Sequence, residues 1–148
     1  PALSLPLILL VTASLSLGDA LTVTGAIDYI AKLFVAGFGG MPVPVILSGL
    51  MLLLILATNV VTNNTVAVIG VPIAISMAGQ LGAPAEPFVV AAIFAANMSY
   101  ATPIGYQGNL LIMSAGGYKF ADFVRVGVPL TILMWLTFSF FLPVWYGL

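Results

Sequence analysis

An all-α integral membrane protein is the fold class this sequence predicts, and three observations predict it. Of 148 residues, 62% are hydrophobic and 5% are charged, whereas a water-soluble domain carries about 25% charged residues to solvate its surface. The charges, Asp19, Asp28, Lys32, Glu86, Lys119, Asp122 and Arg125, are confined to a few places, leaving residues 1–18, 33–85, 87–118 and 126–148 without any. Most of those runs reach the roughly 20 residues that a helix needs to cross a bilayer. The solvent such a chain calls for is lipid.

The elements follow in order. Residues 1–18 lack the basic n-region and cleavage site of a signal peptide and read as a spanning helix cut short. The chain opens on Pro1 and is apolar at once, as in a piece of a longer protein. From 17 to 38, Ile27, Ile30, Ala31, Phe34, Val35 and Phe38 recur at helical spacing with Asp28 and Lys32 nearer the other side, the pattern of a helix lying in the interface. "GFGGMPVP" (37–44) is a breaker. A helix then starts near Val43, and residues 42–81 form one unit.

Within that unit, "TNVVTNNT" (58–65) places uncharged polar residues between two apolar runs. The second run, about 16 residues long, would rise only about 24 Å, short of a bilayer core of about 30 Å. Two readings stand: two crossing helices joined by an external polar loop, or a re-entrant helical hairpin whose tip turns near the midplane. Non-helical backbone survives at that depth only where protein or a water-filled cavity surrounds it. A second interruption, "TPIGYQGN" (102–109), splits residues 86–120 into two half-helices, and the facing ends of such halves bind ions of either sign. Residues 122–146 supply the last transmembrane helix, and Asp122 pairs locally or caps its start. Lys119 and Arg125 place the turn before it on the cytoplasmic side by the positive-inside rule.

The composition also excludes. Zero cysteines and zero histidines remove disulfides, thiolate chemistry, ordinary zinc sites and imidazole catalysis. Three basic residues and a net charge of −1 leave no footprint for nucleic acid. No catalytic residue, cofactor or enzymatic activity is expected. A structural or assembly subunit, in which Asn and Thr only hold helices together, is the competing class to a transporter.

The polar tip "TNNT" followed by a proline-bearing apolar helix, then "ATPIGYQGN", then "AGGYKFADFVRVGVPL", resembles the C-terminal repeat of the divalent anion:sodium symporters, the citrate/sulfate-type permeases. The resemblance runs from about Leu15 to Trp145. It implies one half of an inverted-repeat transporter in which each repeat gives a re-entrant hairpin and a discontinuous helix to a central site. It further implies sodium-coupled, elevator-type transport of a dicarboxylate or sulfate-like anion. The implied partners are a small anionic substrate, sodium as coupling ion, the bilayer of a cell (inner) membrane crossed several times, the N-terminal half of the same permease, and a second copy in a homodimer. Residues 1–38 would belong mainly to the scaffold and 42–120 to the moving part.

The family's Ser-Asn-Thr tip signature falls on Thr62, Asn63 and Asn64, so Asn64 departs from the Thr of dicarboxylate carriers, and Tyr106 and Gln107 depart from a frequent Thr-Pro pair. The resemblance thereby assigns substrate binding to Asn63, Asn64, Thr65, Tyr106 and Asn109, and sodium binding to Thr62, Asn63, Ala101, Thr102 and Gly105. Sodium prefers hard oxygens, which the hydroxyl of Thr62, the amide of Asn63 and freed carbonyls near 101–106 would give. The anion would use N–H groups and the positive dipole end at helix starts near Thr65 and Leu110.

Overall fold

A computed structural model describes residues 9, 12, 13, 16, 19–38 and 40–148; the spanning helix expected over 1–18 lies mainly outside them. Every regular element among the described residues is helical. Residues 19–23 are helical and turn at Gly25, whose φ of +73° suits glycine. Six helices follow: α1 (Ala26–Phe38), α2 (Val43–Thr58), α3 (Asn63–Leu81), α4 (Ala85–Ala96), α5 (Gln107–Gly116) and α6 (Phe120–Tyr146).

Two of them, α3 and α6, are long and apolar enough to cross a membrane, while α2 and α4 are shorter apolar helices. Helices α2 and α3 form a hairpin around a four-residue turn, 59–62, and α4 packs against both of them. The core is therefore a three-helix contact of Leu47, Leu50, Met51 and Leu54 from α2, Ile73, Ala74, Met77 and Ala78 from α3, and Phe88 with a run of alanines from α4. Those alanines, Ala91, Ala92, Ala95 and Ala96, are all buried. Small side chains let backbones approach, which is how helices associate where lipid removes the hydrophobic drive between them. Gly70 serves the same end on α3, since a Cβ there would lie 3.0 Å from Leu54.

Helix α1 packs on α3 through the buried Ile27 and Ala31, and Ser76 donates to the Asp28 carboxylate at 2.6 Å. Its apolar face is narrower than the spacing suggests, because Ile30 and Phe38 stay exposed. Helix α6 lies against α2 and α4, where Trp135 Nε1 donates to the Ser48 carbonyl at 3.1 Å and the Ser48 and Ser139 hydroxyls pair at 2.8 Å. It begins at Phe120, ahead of the expected 122, because Asp122 reaches back to accept the Lys119 N–H at 2.8 Å, a capping arrangement that extends the first turn. Asp122 thus caps, as its position implied. Helix α5 is different: no residue in it is buried.

Candidate functional site

The site grows out of two places where the backbone stops being helical. Helix α2 ends at Thr58, and Thr62 caps the start of α3. Helix α4 ends at Ala96, and the chain runs without helix from Met98 to Tyr106 before α5 begins. A proline disfavours helix at the residue before it, so Pro103 helps keep Thr102 out of a helix. Buried peptide groups outside a helix need partners, and the two interruptions satisfy one another.

Thr58, fully buried, donates to the Ala96 carbonyl at 2.6 Å. Asn59 Nδ2 donates to the Ile55 carbonyl at 2.8 Å and the Met98 carbonyl at 3.1 Å, while its Oδ1 accepts the Ala101 N–H at 2.9 Å. Thr102 Oγ1 donates to the Asn59 carbonyl at 2.6 Å. The Asn63 N–H donates to the Gly105 carbonyl at 3.1 Å, and Asn109 Nδ2 holds the Ser99 carbonyl at 2.9 Å and that of Thr102 at 3.3 Å. The hairpin turn and the non-helical segment between α4 and α5 are stitched into one assembly.

Between them lies a cavity of about 80 Å³ lined by Thr62, Asn63, Asn64, Tyr106 and Gln107. A single water needs about 10–15 Å³, so a small ion with part of its hydration shell fits. No cluster of three acidic or imidazole side chains occurs among the described residues, so a cation here meets neutral oxygens. A larger hollow of about 420 Å³, lined by Asn109 and Tyr100, opens between α5 and α6. Its walls are mostly apolar, and its charged side chain is the carboxylate of Asp122, which disfavours an anion.

Of the residues singled out from sequence, Thr62, Asn63, Asn64 and Tyr106 meet at the small cavity, with Ala101, Thr102 and Gly105 in the adjoining non-helical segment. Thr65 does not line it. Its N–H and hydroxyl turn back to Thr62 Oγ1 at 3.4 Å and 2.8 Å. Asn109 lines the larger hollow instead, with its amide nitrogen committed to two carbonyls.

The helix starts are displaced from those expected. Helix α3 begins at Asn63, and its first N–H groups are taken: Asn63 by Gly105, Asn64 by the Asn63 Oδ1 at 2.9 Å, Thr65 by Thr62. Helix α5 begins at Gln107 rather than Leu110, and the N–H groups of Gln107 and Gly108 have no hydrogen-bond partner among the described residues. Orphan donors of this kind, at the positive end of the dipole, are what an anion meets at a helix start. Among carbonyls, those of Thr102, Gly105 and Tyr106 each accept a hydrogen bond, whereas those of Ala101, Pro103 and Ile104 accept none among the described residues.

Three residues escaped the sequence reading of the site. Gln107 lines the cavity, and Thr58 and Asn59 hold it together. Thr58 and Asn59 stood in the polar cluster, but their partners lie 38 to 43 residues away, and nothing in local spacing announces such pairs.

Comparison with known proteins matches this chain to a family. The chain is 36% identical to an uncharacterized transporter of Synechocystis over 95% of its own length and 23% of the relative's. It is 31% identical to an uncharacterized transporter of Escherichia coli, covering 87% of this chain and 21% of that one. A protein of Chlamydomonas reinhardtii named as a probable sodium/sulfate cotransporter is 34% identical over 57% of this chain and 10% of its own. The chain therefore spans less than a quarter of the length of these relatives. No solved structure matches. Residues 2–147 match the citrate transporter family from nearly end to end, and the chain belongs to that family of membrane transporters, as its resemblance to the divalent anion:sodium symporters implied.

Proposed function

We propose that this chain builds the C-terminal half of a secondary transporter's substrate site, one that carries a divalent anion, dicarboxylate or sulfate-like, in symport with sodium. The observation that carries the reading is the meeting of two backbone interruptions around one small polar cavity. In this reading the hairpin is re-entrant, residues 86–120 form a discontinuous transmembrane helix, and the N-terminal half of the same permease completes the site in an inner membrane. The chain would act in a homodimer whose scaffold includes residues 1–38, with 42–120 moving as an elevator.

The chemistry follows from donors and acceptors. Sodium takes oxygens from Thr62, Asn63 and the open carbonyl of Ala101, with Thr102 and Gly105 holding the segment in place. The anion takes the orphan N–H groups of Gln107 and Gly108, the amide of Asn64 and the hydroxyl of Tyr106. Asn63 stands between the two, and the bound cation lowers the cost of bringing negative charge to the site. Linkage then requires each ligand to raise the other's affinity by the same factor.

The test is uptake by the full-length protein in liposomes, with labelled succinate and sulfate and an inward sodium gradient. Sodium should drive uptake of one of them. Asn63→Ala should weaken sodium dependence and anion affinity together, each by about tenfold, when normalised to folded protein. Movement of neither anion would defeat the substrate assignment. A change in the amount of folded protein alone would reduce Asn63 to interhelical glue.

A further inference from the structure

We propose that Asn59, which touches neither cation nor anion in the site as proposed, is the positioning residue that fixes the non-helical segment in its cation-binding shape. The proposal rests on that reading of the site. Two asparagines in the chain end helices in the same way. Asn59 caps α2 and Asn97 caps α4, both in right-handed conformation, and each donates Nδ2 to the carbonyl four residues back at 2.8 Å. There the likeness stops. Asn97 is exposed and makes no further side-chain bond among the described residues, whereas Asn59 goes on to hold Met98 and Ala101 across the cleft.

The orientation of the Asn59 amide is forced. Ile55 and Met98 present carbonyls, which only accept, and Ala101 presents an N–H, which only donates, so nitrogen faces the first two and oxygen the third. The N–H that Asn59 grips belongs to the Tyr100–Ala101 peptide. Every peptide bond among the described residues is trans, so the Tyr100 carbonyl points the opposite way, and there it abuts Gly127 of α6. This one peptide is clamped on both edges, by Asn59 on one side and the last helix on the other.

A clamped peptide cannot rotate, and the neighbouring carbonyl of Ala101, open among the described residues, is held where the clamp leaves it. Preorganised oxygens spare a cation the cost of ordering them on binding. Loss of the bracket would let the segment relax, so cation affinity would fall while the maximal rate, measured once sodium has refolded the segment, would survive. That division between affinity and rate is the mark of positioning.

Asn59→Ser tests it, because a serine near a helix end keeps the local bond to the carbonyl four residues back but is too short to reach Met98 or Ala101. In the full-length protein the half-saturating sodium concentration should rise by about tenfold, with uptake at saturating sodium within about twofold of the parent. Asn97→Ser, the same substitution on the matching cap, should leave both unchanged. Hydrogen exchange without sodium should quicken at Ala101 in Asn59→Ser and not in Asn97→Ser. Equal sodium dependence in the two variants, or unaltered exchange at Ala101, would overturn the proposal. So would loss of folded protein in both Asn59→Ser and Asn59→Thr with Asn97→Ser intact, which would assign Asn59 to stability alone. Should the unmodified protein show no sodium response, the symport reading falls, and the bracket is then decided by exchange at Ala101.

Discussion

Gly127→Leu should leave little folded protein, and Gly127→Ala should already lower the melting temperature in detergent. A Cβ at this position would overlap the Tyr100 carbonyl and lie 2.6 Å from the Ala101 Cα. Both obstacles are backbone, in a segment already held by Asn59 and Asn109, so neither can swing aside like the end of a flexible side chain. Overpacking a well-filled interior costs about 1–3 kcal/mol, and a rigid obstacle puts this site at the upper end. Gly79→Ala is the control. It lies in α3, where an added methyl group would meet nothing within 4 Å, and there alanine should help by about 0.5–1 kcal/mol through helix propensity. Thermal unfolding of the three variants side by side checks the order: Gly79→Ala above the parent, Gly127→Ala below it.

Gly105→Leu should insert into the membrane and yet transport about a hundredfold less per folded molecule, the loss that about 3 kcal/mol of strain implies at tenfold per 1.4 kcal/mol. The reason is proximity rather than backbone freedom. Gly105 is not among the glycines with positive φ; it is buried, its carbonyl accepts the Asn63 N–H, and a Cβ would press on the Thr58 carbonyl and lie 2.7 Å from Ser99 Cβ. A side chain here would wedge the hairpin turn away from the segment between α4 and α5 and open the cavity that the two line together. Initial-rate uptake normalised to monodisperse protein checks it, and parent-like uptake would make 102–109 a mere connection.

Much of this was legible in the sequence for physical reasons that are local. Apolar runs, a breaker at 37–44, capping residues and Pro103 all act within a few residues, and the helices fall close to where they imply. The tip residues Thr62, Asn63 and Asn64 stood out because polar side chains are scarce in such a chain, whereas Tyr106 came from the family resemblance. Roles were harder to read. The family resemblance offers Thr65 and Asn109 as substrate contacts; in the structure the Thr65 N–H and hydroxyl turn to Thr62, the residue that caps α3, and the Asn109 amide nitrogen is spent on the Ser99 and Thr102 carbonyls. Those outcomes depend on which chain segment lies opposite, and only tertiary packing decides that. Asn59 shows the limit best: in the sequence it is one member of a polar cluster, and its bonds to Met98 and Ala101 exist because those residues stand across from it in the fold.

The central claim is that the turn and the break enclose one ligand-binding cavity, and a cysteine at Gln107 tests it most directly. The chain has no cysteine of its own, and Gln107 lines the cavity without a side-chain hydrogen bond to lose among the described residues. In the full-length protein in liposomes, on a background cleared of any other cysteine, Gln107→Cys should react with a small polar thiol reagent and resist a bulky one. Sodium together with the transported anion should slow the small reagent by about tenfold, more than either ion alone, because each raises the other's occupancy. Full reaction with the bulky reagent, at a rate indifferent to both ions, would show an ordinary surface loop and contradict the account.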